Sequence, residues 1–153
     1  GSHNLLMAGM HVAHDCVIGN HTVLANNVLL AGHVVIEDHV LIGGGSAISQ
    51  FSRLGAHAFI GGMTAIVGKD VPPFVKVTGP KPQPCGLNVV GLQRSGFDSE
   101  SVAHIKQAYK ILYRQNLLTQ EACDKIAALD CASTPSVQQF LHFVQNTKQS
   151  ILR

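Results

Sequence analysis

Every sixth residue from Leu6 to Ile66 is aliphatic: Leu6, Val12, Ile18, Leu24, Leu30, Ile36, Ile42, Ile48, Leu54, Ile60 and Ile66. The residue after each is mostly small (Ala13, Gly19, Ala25, Ala31, Gly43, Ser49, Gly55, Gly61). The residue four places on is usually small or β-branched (Cys16, Thr22, Val28, Val34, Val40, Ser46, Ser52, Ala58, Thr64). A period of six is neither helical nor simple strand alternation, and hexapeptide repeats build a parallel β-helix. Three hexads make one triangular coil, so residues 18 apart stack at a strand spacing of about 4.8 Å. Asp70-Val71-Pro72-Pro73 stops the ladder, since proline cannot donate to it.

The pattern then changes. Residues 74–97, with Gly79-Pro80, Pro82 and Pro84, read as an extended, turn-rich connector. Asp98 or Ser99 caps a first helix with Val102, Ile105, Tyr109 and Leu112 on one face. A shorter helix should begin near Thr119, and Thr134-Pro135 starts a third that buries Val137, Phe140, Leu141 and Val144. The expected architecture is mainly β with an α tail: β-helix coils over 1–73, a connector over 74–97 and a small helical subdomain over 98–153. Gly1-Ser2-His3 reads as a tag remnant, and the repeat begins without the cap that solenoid ends normally carry. A fragment lacking N-terminal coils is therefore expected.

Composition fits a stacked aliphatic ladder, which needs few charges and no Trp; charged residues are 13%. A net charge of +2 gives no ground for a nucleic-acid partner. No apolar run approaches the ~20 residues of a membrane span and nothing resembles a signal peptide, so a cytoplasmic protein without membrane insertion is expected. The four cysteines are far apart with no C-x-x-C, which reads as reduced thiols rather than a metal site.

Nine histidines are many for 153 residues. His3, His21, His39 and His57 are spaced 18 apart and should stack on one corner. A turn position that tolerates a polar ring accounts for them more simply than a metal ladder. Neutral imidazoles can stack while charged ones repel, so this corner should lose order below about pH 5.5. A second set is chemically richer. His14, Gly32 and Gln50 form one column, with Asp15, His33 and Phe51 in the column beside it. The patch offers a general base (His14), a carboxylate next to it (Asp15), a second imidazole (His33) and a backbone amide (Gly32). Acyl transfer to a hydroxyl needs such a set: the base takes the alcohol proton and an amide stabilises the oxyanion. No Ser or Cys stands in the column as nucleophile, so direct transfer is expected rather than an acyl-enzyme.

These residues carry a resemblance that spans nearly the whole chain. Asn4-Leu5-Leu6-Met7, His11-Val12-Ala13-His14-Asp15-Cys16, Leu30-Ala31-Gly32-His33, Gln50-Phe51, Asp70-Val71-Pro72-Pro73-Phe74, Gly86-Leu87-Asn88, Arg94-Ser95-Gly96-Phe97 and Ala108-Tyr109-Lys110 occur in order and in register. Together they resemble the UDP-N-acetylglucosamine acyltransferases, the first acyltransferases of lipid A synthesis. The resemblance implies a left-handed β-helix homotrimer with active sites between neighbouring subunits. It implies transfer of an R-3-hydroxyacyl group from the phosphopantetheine of acyl carrier protein to the glucosamine 3-hydroxyl of UDP-N-acetylglucosamine, with no other cofactor. By motif, His14 is the general base, Asp15 its orienting partner and the Gly32 amide the oxyanion donor. His33 and Gln50 contact donor or sugar, and His11 the sugar nucleotide. Asn88 reaches the nucleotide from a neighbouring subunit, and Arg94 meets the pantetheine phosphate or the carrier. Ser49, Val90 and Ser95 depart from the family pattern, which has His, Glu and Arg there.

An acidic carrier needs a basic surface, and Lys69, Lys76, Lys81, Lys106, Lys110 and Arg114 are the candidates. In the column Gly9, Asn27, Gly45 and Met63, the bulky Met63 is the candidate limit on acyl-chain length; core filling is its competing account. Two other readings stay open. A γ-class carbonic anhydrase-like trimer would offer His11, His14 and His33 to zinc. A trimerising fragment without activity is the other.

Overall fold

The computed structural model describes residues 1–153, and its first part is a β-solenoid of about four turns. Each hexad supplies one two-residue strand, and the strands fall on three faces. The first face holds Leu5–Leu6, Val23–Leu24, Leu41–Ile42 and Phe59–Ile60; the second His11–Val12, Leu29–Leu30, Ala47–Ile48 and Ala65–Ile66; the third Val17–Ile18, Val35–Ile36 and Arg53–Leu54. All pair parallel, with Leu5 beside Val23, His11 beside Leu29 and Val17 beside Val35, so the 18-residue register holds. It ends where the sequence inserts proline. Phe59 pairs with Lys76 rather than Val77, so the coil holding Pro72-Pro73 is one residue shorter.

A backbone rule underlies the period. His3, Gly9, Asp15, His21, Asn27, His33, His39, Gly45, Phe51, His57 and Met63 all have φ between 55° and 74°, one such residue in every hexad. Each turns a corner in the left-handed region, where Asn, Asp and His are the non-glycine residues best tolerated. Phe51 and Met63 are the exceptions, and a left-handed conformation costs such residues about 1–2 kcal/mol.

Between the corners the aliphatic side chains point inward. Leu24 through Ile66 of the sixfold series are at most 2% exposed, and Thr22, Val28, Val34, Val40, Ser46, Ser52, Ala58 and Thr64 are buried beside them. The buried hydroxyl of Ser46 donates to the Gly61 carbonyl (2.9 Å) and accepts from the Thr64 amide (3.2 Å), so it is satisfied. The first turn differs: Leu6 is 49% and Val12 37% exposed, although both belong to the inward series.

Residues 74–97 are more ordered than the expected connector. Val75–Thr78 and Gln83–Leu87 form an antiparallel hairpin that extends the first face. Gly79-Pro80 and Pro82 make its turn, and Pro84 falls on the edge strand, where its missing donor does no harm. A short helix α1 (Val89–Arg94) follows, capped by Asn88, whose side-chain oxygen accepts from the Gly91 amide (3.2 Å). Helix α2 (Ser99–Arg114) is capped by Asp98, helix α3 (Thr119–Ala127) begins at the expected residue, and helix α4 (Pro135–Gln145) has its proline in the first turn. Their apolar faces join the solenoid in one hydrophobic core. None of these helices is long and apolar enough to cross a membrane.

The end of the chain returns to the solenoid. Ser150–Ile151 pairs parallel with Lys69–Asp70, and the Leu152 amide donates to the Asp70 carbonyl (2.9 Å). The buried Asp70 carboxylate accepts from the Arg53 amide (2.8 Å), the Gln149 amide (3.2 Å) and the Thr147 hydroxyl. Asp70 therefore clasps two ends of the fold together as well as preceding the prolines.

Candidate functional site

The corner between the second and third faces stacks the two expected columns. Main-chain bonds run from the His33 amide to the His14 carbonyl (3.0 Å) and from the Phe51 amide to the Gly32 carbonyl (3.2 Å). Asp15, His33 and Phe51 occupy the left-handed corner positions of successive coils, with His14, Gly32 and Gln50 one residue earlier. His14 Nδ1 lies 2.9 Å from Asp15 Oδ2, and His33 Nε2 is 3.8 Å from the same oxygen. The two imidazoles meet edge-on, centroids 5.1 Å apart and planes at 88°, and His33 stacks flat on Phe51 at 4.9 Å. The His14 hydrogen bond, and then the charge of His33, hold the Asp15 carboxyl below its usual range. An anionic Asp15 can only accept, so the His14 proton sits on Nδ1 and leaves the Nε2 lone pair free.

That lone pair lies over Gly32. A Cβ at position 32 would come within 2.7 Å of His14 Cε1 and 2.8 Å of Nε2. Glycine leaves room for this close approach, and its φ is not in the left-handed region. The Gly32 amide takes no part in the backbone hydrogen-bond ladder. A base and an uncommitted N–H thus stand side by side. Gln50 is exposed one coil above in the same column. Cys16, the nearest sulfur in sequence, donates to the Ala31 carbonyl (3.0 Å). All four cysteines are free thiols.

On one flank of this corner is the second face, a shallow apolar groove lined by His11, Ala13, Leu29, Ala31, Ala47 and Val67 among others. His11 is there, at the foot of the groove, and is not part of the His14–Asp15–His33 cluster. On the other flank a cleft beside Asp15 and His33 is closed by Arg53, Glu37, Asn146 and Lys148. The sequence reading missed this wall. Arg53 Nε donates to Glu37 (2.8 Å) from 16 residues away, outside the 18-residue columns, and Asn146 and Lys148 arrive with the returning chain end.

Other candidates stand apart. Asn88 and Arg94 line a cleft of about 390 Å³ against the first face, with Lys76 and the wall of His21, His39 and His57. Asn88 Nδ2 donates to the His57 carbonyl (3.0 Å). Within one chain this cleft lies at a different corner from His14. Met63 is 74% exposed, which removes core filling as its explanation. It stands at the edge of the second face opposite to His14, its sulfur lying over Gly45. The six basic residues are spread over several elements. Lys106, Lys110 and Arg114 form one exposed stripe of α2, Lys81 lies in the hairpin turn, and Lys76 is 5.6 Å from the Phe59 ring. Lys69 donates to the Ser150 hydroxyl (2.8 Å).

The histidine ladder forms as the spacing predicts. His3, His21, His39 and His57 stack with centroids 5.0, 5.0 and 4.5 Å apart and planes within 10°. Phe74 and Phe97 close the stack above His57. Burial, with a smaller contribution from His39, lowers the His57 pKa to about 4, against the opposing pull of Asp38.

Comparison with known proteins finds relatives of this sequence and fold. The family described as Udp N-acetylglucosamine O-acyltransferase, domain 2, matches residues 70–152. An acyl-[acyl-carrier-protein]–UDP-N-acetylglucosamine O-acyltransferase of Thiobacillus denitrificans is 44% identical over 153 residues, all of this chain and 58% of that protein. The corresponding protein of Burkholderia mallei is 40% identical over 156 residues, again all of this chain and 59% of its own length. Among solved structures, the UDP-N-acetylglucosamine acyltransferase of Francisella novicida superposes with a TM-score of 0.95 at 39% identity, covering 100% of this chain and 55% of that one. LpxA from Acinetobacter baumannii gives 0.94 at 38% identity, over 99% of this chain and 58% of that one. The chain spans somewhat over half the length of the relatives it matches.

Proposed function

Because the chain belongs to the UDP-N-acetylglucosamine O-acyltransferase family, we propose that it moves an R-3-hydroxyacyl group from acyl carrier protein to the 3-hydroxyl of UDP-N-acetylglucosamine, the first step of lipid A synthesis. The observation that carries this reading is the Asp15–His14 hydrogen bond with His14 Nε2 held over Gly32. His14 Nε2 removes the sugar hydroxyl proton as that oxygen attacks the thioester carbonyl. The Gly32 N–H meets the oxyanion. Collapse breaks the carbon–sulfur bond, and the pantetheine thiolate takes the proton from the His14 imidazolium. A general base contributes about 10²–10⁴-fold and an oxyanion donor about 10²–10³-fold to such a step. Asp15 stabilises the imidazolium and keeps the tautomer. His33 and Gln50 contact donor or sugar, and His11 the sugar nucleotide.

The active unit is a homotrimer of left-handed solenoids in the cytoplasm. Two features support it: Asn88 and Arg94 lie at another corner from His14 in one chain, and the second face is apolar and bare. In a trimer a neighbour's Asn88 and Arg94 would serve the His14 corner, reaching the nucleotide and the pantetheine phosphate. The acyl chain lies in the second-face groove, where Met63, at its edge, limits length. The acidic carrier docks on Lys69, Lys76, Lys81, Lys106, Lys110 and Arg114; unchanged carrier binding at low salt in a Lys76→Glu, Lys81→Glu variant would remove that surface.

The test is turnover of hydroxyacyl carrier protein and UDP-N-acetylglucosamine by this chain beside His14→Ala. Loss of activity is expected in the variant; equal rates would sink the base.

A further inference from the structure

We propose that His14, Asp15 and His33 form a zinc-binding site, and that a bound Zn²⁺ silences the base by occupying the nitrogen of His14 opposite to the one used for proton transfer. The silencing half rests on His14 being the base, as read above; the binding half does not.

The ligand atoms of these three side chains all lie within 4.8 Å of one another. Two imidazoles and one carboxylate are the donor set of open, three-ligand zinc sites, which leave a fourth position for water. His14 Nδ1, Asp15 Oδ2 and His33 Nε2 form a triangle with edges of 2.9 and 3.8 Å about the shared carboxylate oxygen. Zinc bonds of about 2.0–2.2 Å place neighbouring ligand atoms of a tetrahedron roughly 3.4 Å apart. The two edges at the carboxylate oxygen bracket that value. All three side chains are exposed and can adjust, while Gly32 beneath His14 and Phe51 against His33 keep the rings facing Asp15. Imidazole nitrogen favours Zn²⁺ over Mg²⁺ or Ca²⁺, which prefer oxygen.

The consequence follows from imidazole chemistry. Neutral His14 bears its proton on Nδ1, toward Asp15. An ion bonded at Nδ1 moves that proton to Nε2, which then carries N–H and has no lone pair to offer. No bond to substrate is needed for inhibition, and no redox partner is involved.

The experiment titrates chelator-treated protein with Zn²⁺ by calorimetry without substrates, and with Co²⁺ as a spectroscopic probe of coordination. One ion per chain is expected, with affinity reduced at least about 10-fold in Asp15→Asn and in His33→Ala, and unchanged in His11→Ala, which lies outside the triangle. Absence of binding, or equal affinity in Asp15→Asn and His33→Ala, overturns the site. Turnover is then measured with Zn²⁺ and with Mg²⁺; inhibition by Zn²⁺ alone is expected. Zinc that binds without slowing an enzyme whose His14→Ala variant is inactive overturns the silencing. If His14→Ala is itself fully active, the base assignment fails instead, and the binding result still decides the site.

Discussion

Two corners of the solenoid are furnished with histidine and use it in opposite ways. At one, four imidazoles stack face to face at 4.5–5.0 Å, each in the left-handed corner position of its coil. At the other, His14 stands one residue before that position and His33 on it, so the rings cannot stack and meet at 88° with Asp15 between them. The backbone is the same at both. Strict repetition yields a packed ladder whose top ring is pushed toward neutrality; a one-residue change of phase yields an exposed base with an orienting carboxylate. In a repeat protein the chemistry is found where a column stops repeating.

The largest way to break this contrast is to truncate one ring at each corner. His14→Ala should lower turnover by about 10²–10⁴-fold with its melting temperature unchanged. His39→Ala should leave turnover intact and lower stability by about 1–2 kcal/mol, through lost stacking and an alanine in a left-handed turn. If both variants lose activity and neither loses stability, the corners are not distinct. Gly32→Ala tests the same corner without touching a histidine. The added methyl drives His14 aside, and turnover should fall about 100-fold with the fold retained, since the φ at position 32 suits alanine; wild-type kinetics would deny the close approach its role.

Acid sharpens the contrast from the other side. His57 has a folded pKa of about 4, below the usual 6.5 of an unfolded histidine. The unfolded chain therefore binds the extra proton more readily between those values. The His57 contribution is complete above about pH 6.5 and is lost as pH falls toward 4, by roughly 1–2 kcal/mol after discounting for the ring's partial exposure. His39 and Asp38 are the ionisable groups that bear on it, with Phe74 and Phe97 packed above. Thermal melts across this range should show the loss in wild type and a shallower slope in His57→Phe; parallel slopes would count against the ladder as the source. The smallest effect concerns Met63. Met63→Gly removes an exposed side chain from a left-handed corner and should raise stability by up to about 1 kcal/mol. It should also extend the acyl donors accepted, and donor profiles identical to wild type would dismiss the length assignment.

The solenoid was legible because its register is an integer. Counting in sixes and eighteens located the inward ladder, the His3–His57 stack and the meeting of His14 with Gly32 and His33. The same counting placed Met63 in a column but not on a face, and so missed that it stands across the groove from His14. The hairpin within 74–97 was hidden because Pro80, Pro82 and Pro84 look like disruption until Pro84 is seen on an edge strand. Contacts that join distant parts had no local signal at all. Asp70 reads as a stop before two prolines, yet its carboxylate is held by Arg53, Thr147 and Gln149.

That clasp joins the last coil to the returning chain end. The last coil is tied by Ser150–Ile151, by Leu152 and by a buried carboxylate. Coils of a solenoid contact only their neighbours, so opening travels along the stack rather than everywhere at once. Amide protons paired across the clasp, at Lys69–Asp70 and Ser150–Ile151, should be among the slowest to exchange. The segment that carries Asn146 and Lys148 to the cleft beside Asp15 is thus held, through Thr147 and Gln149, by the same carboxylate that closes the ladder.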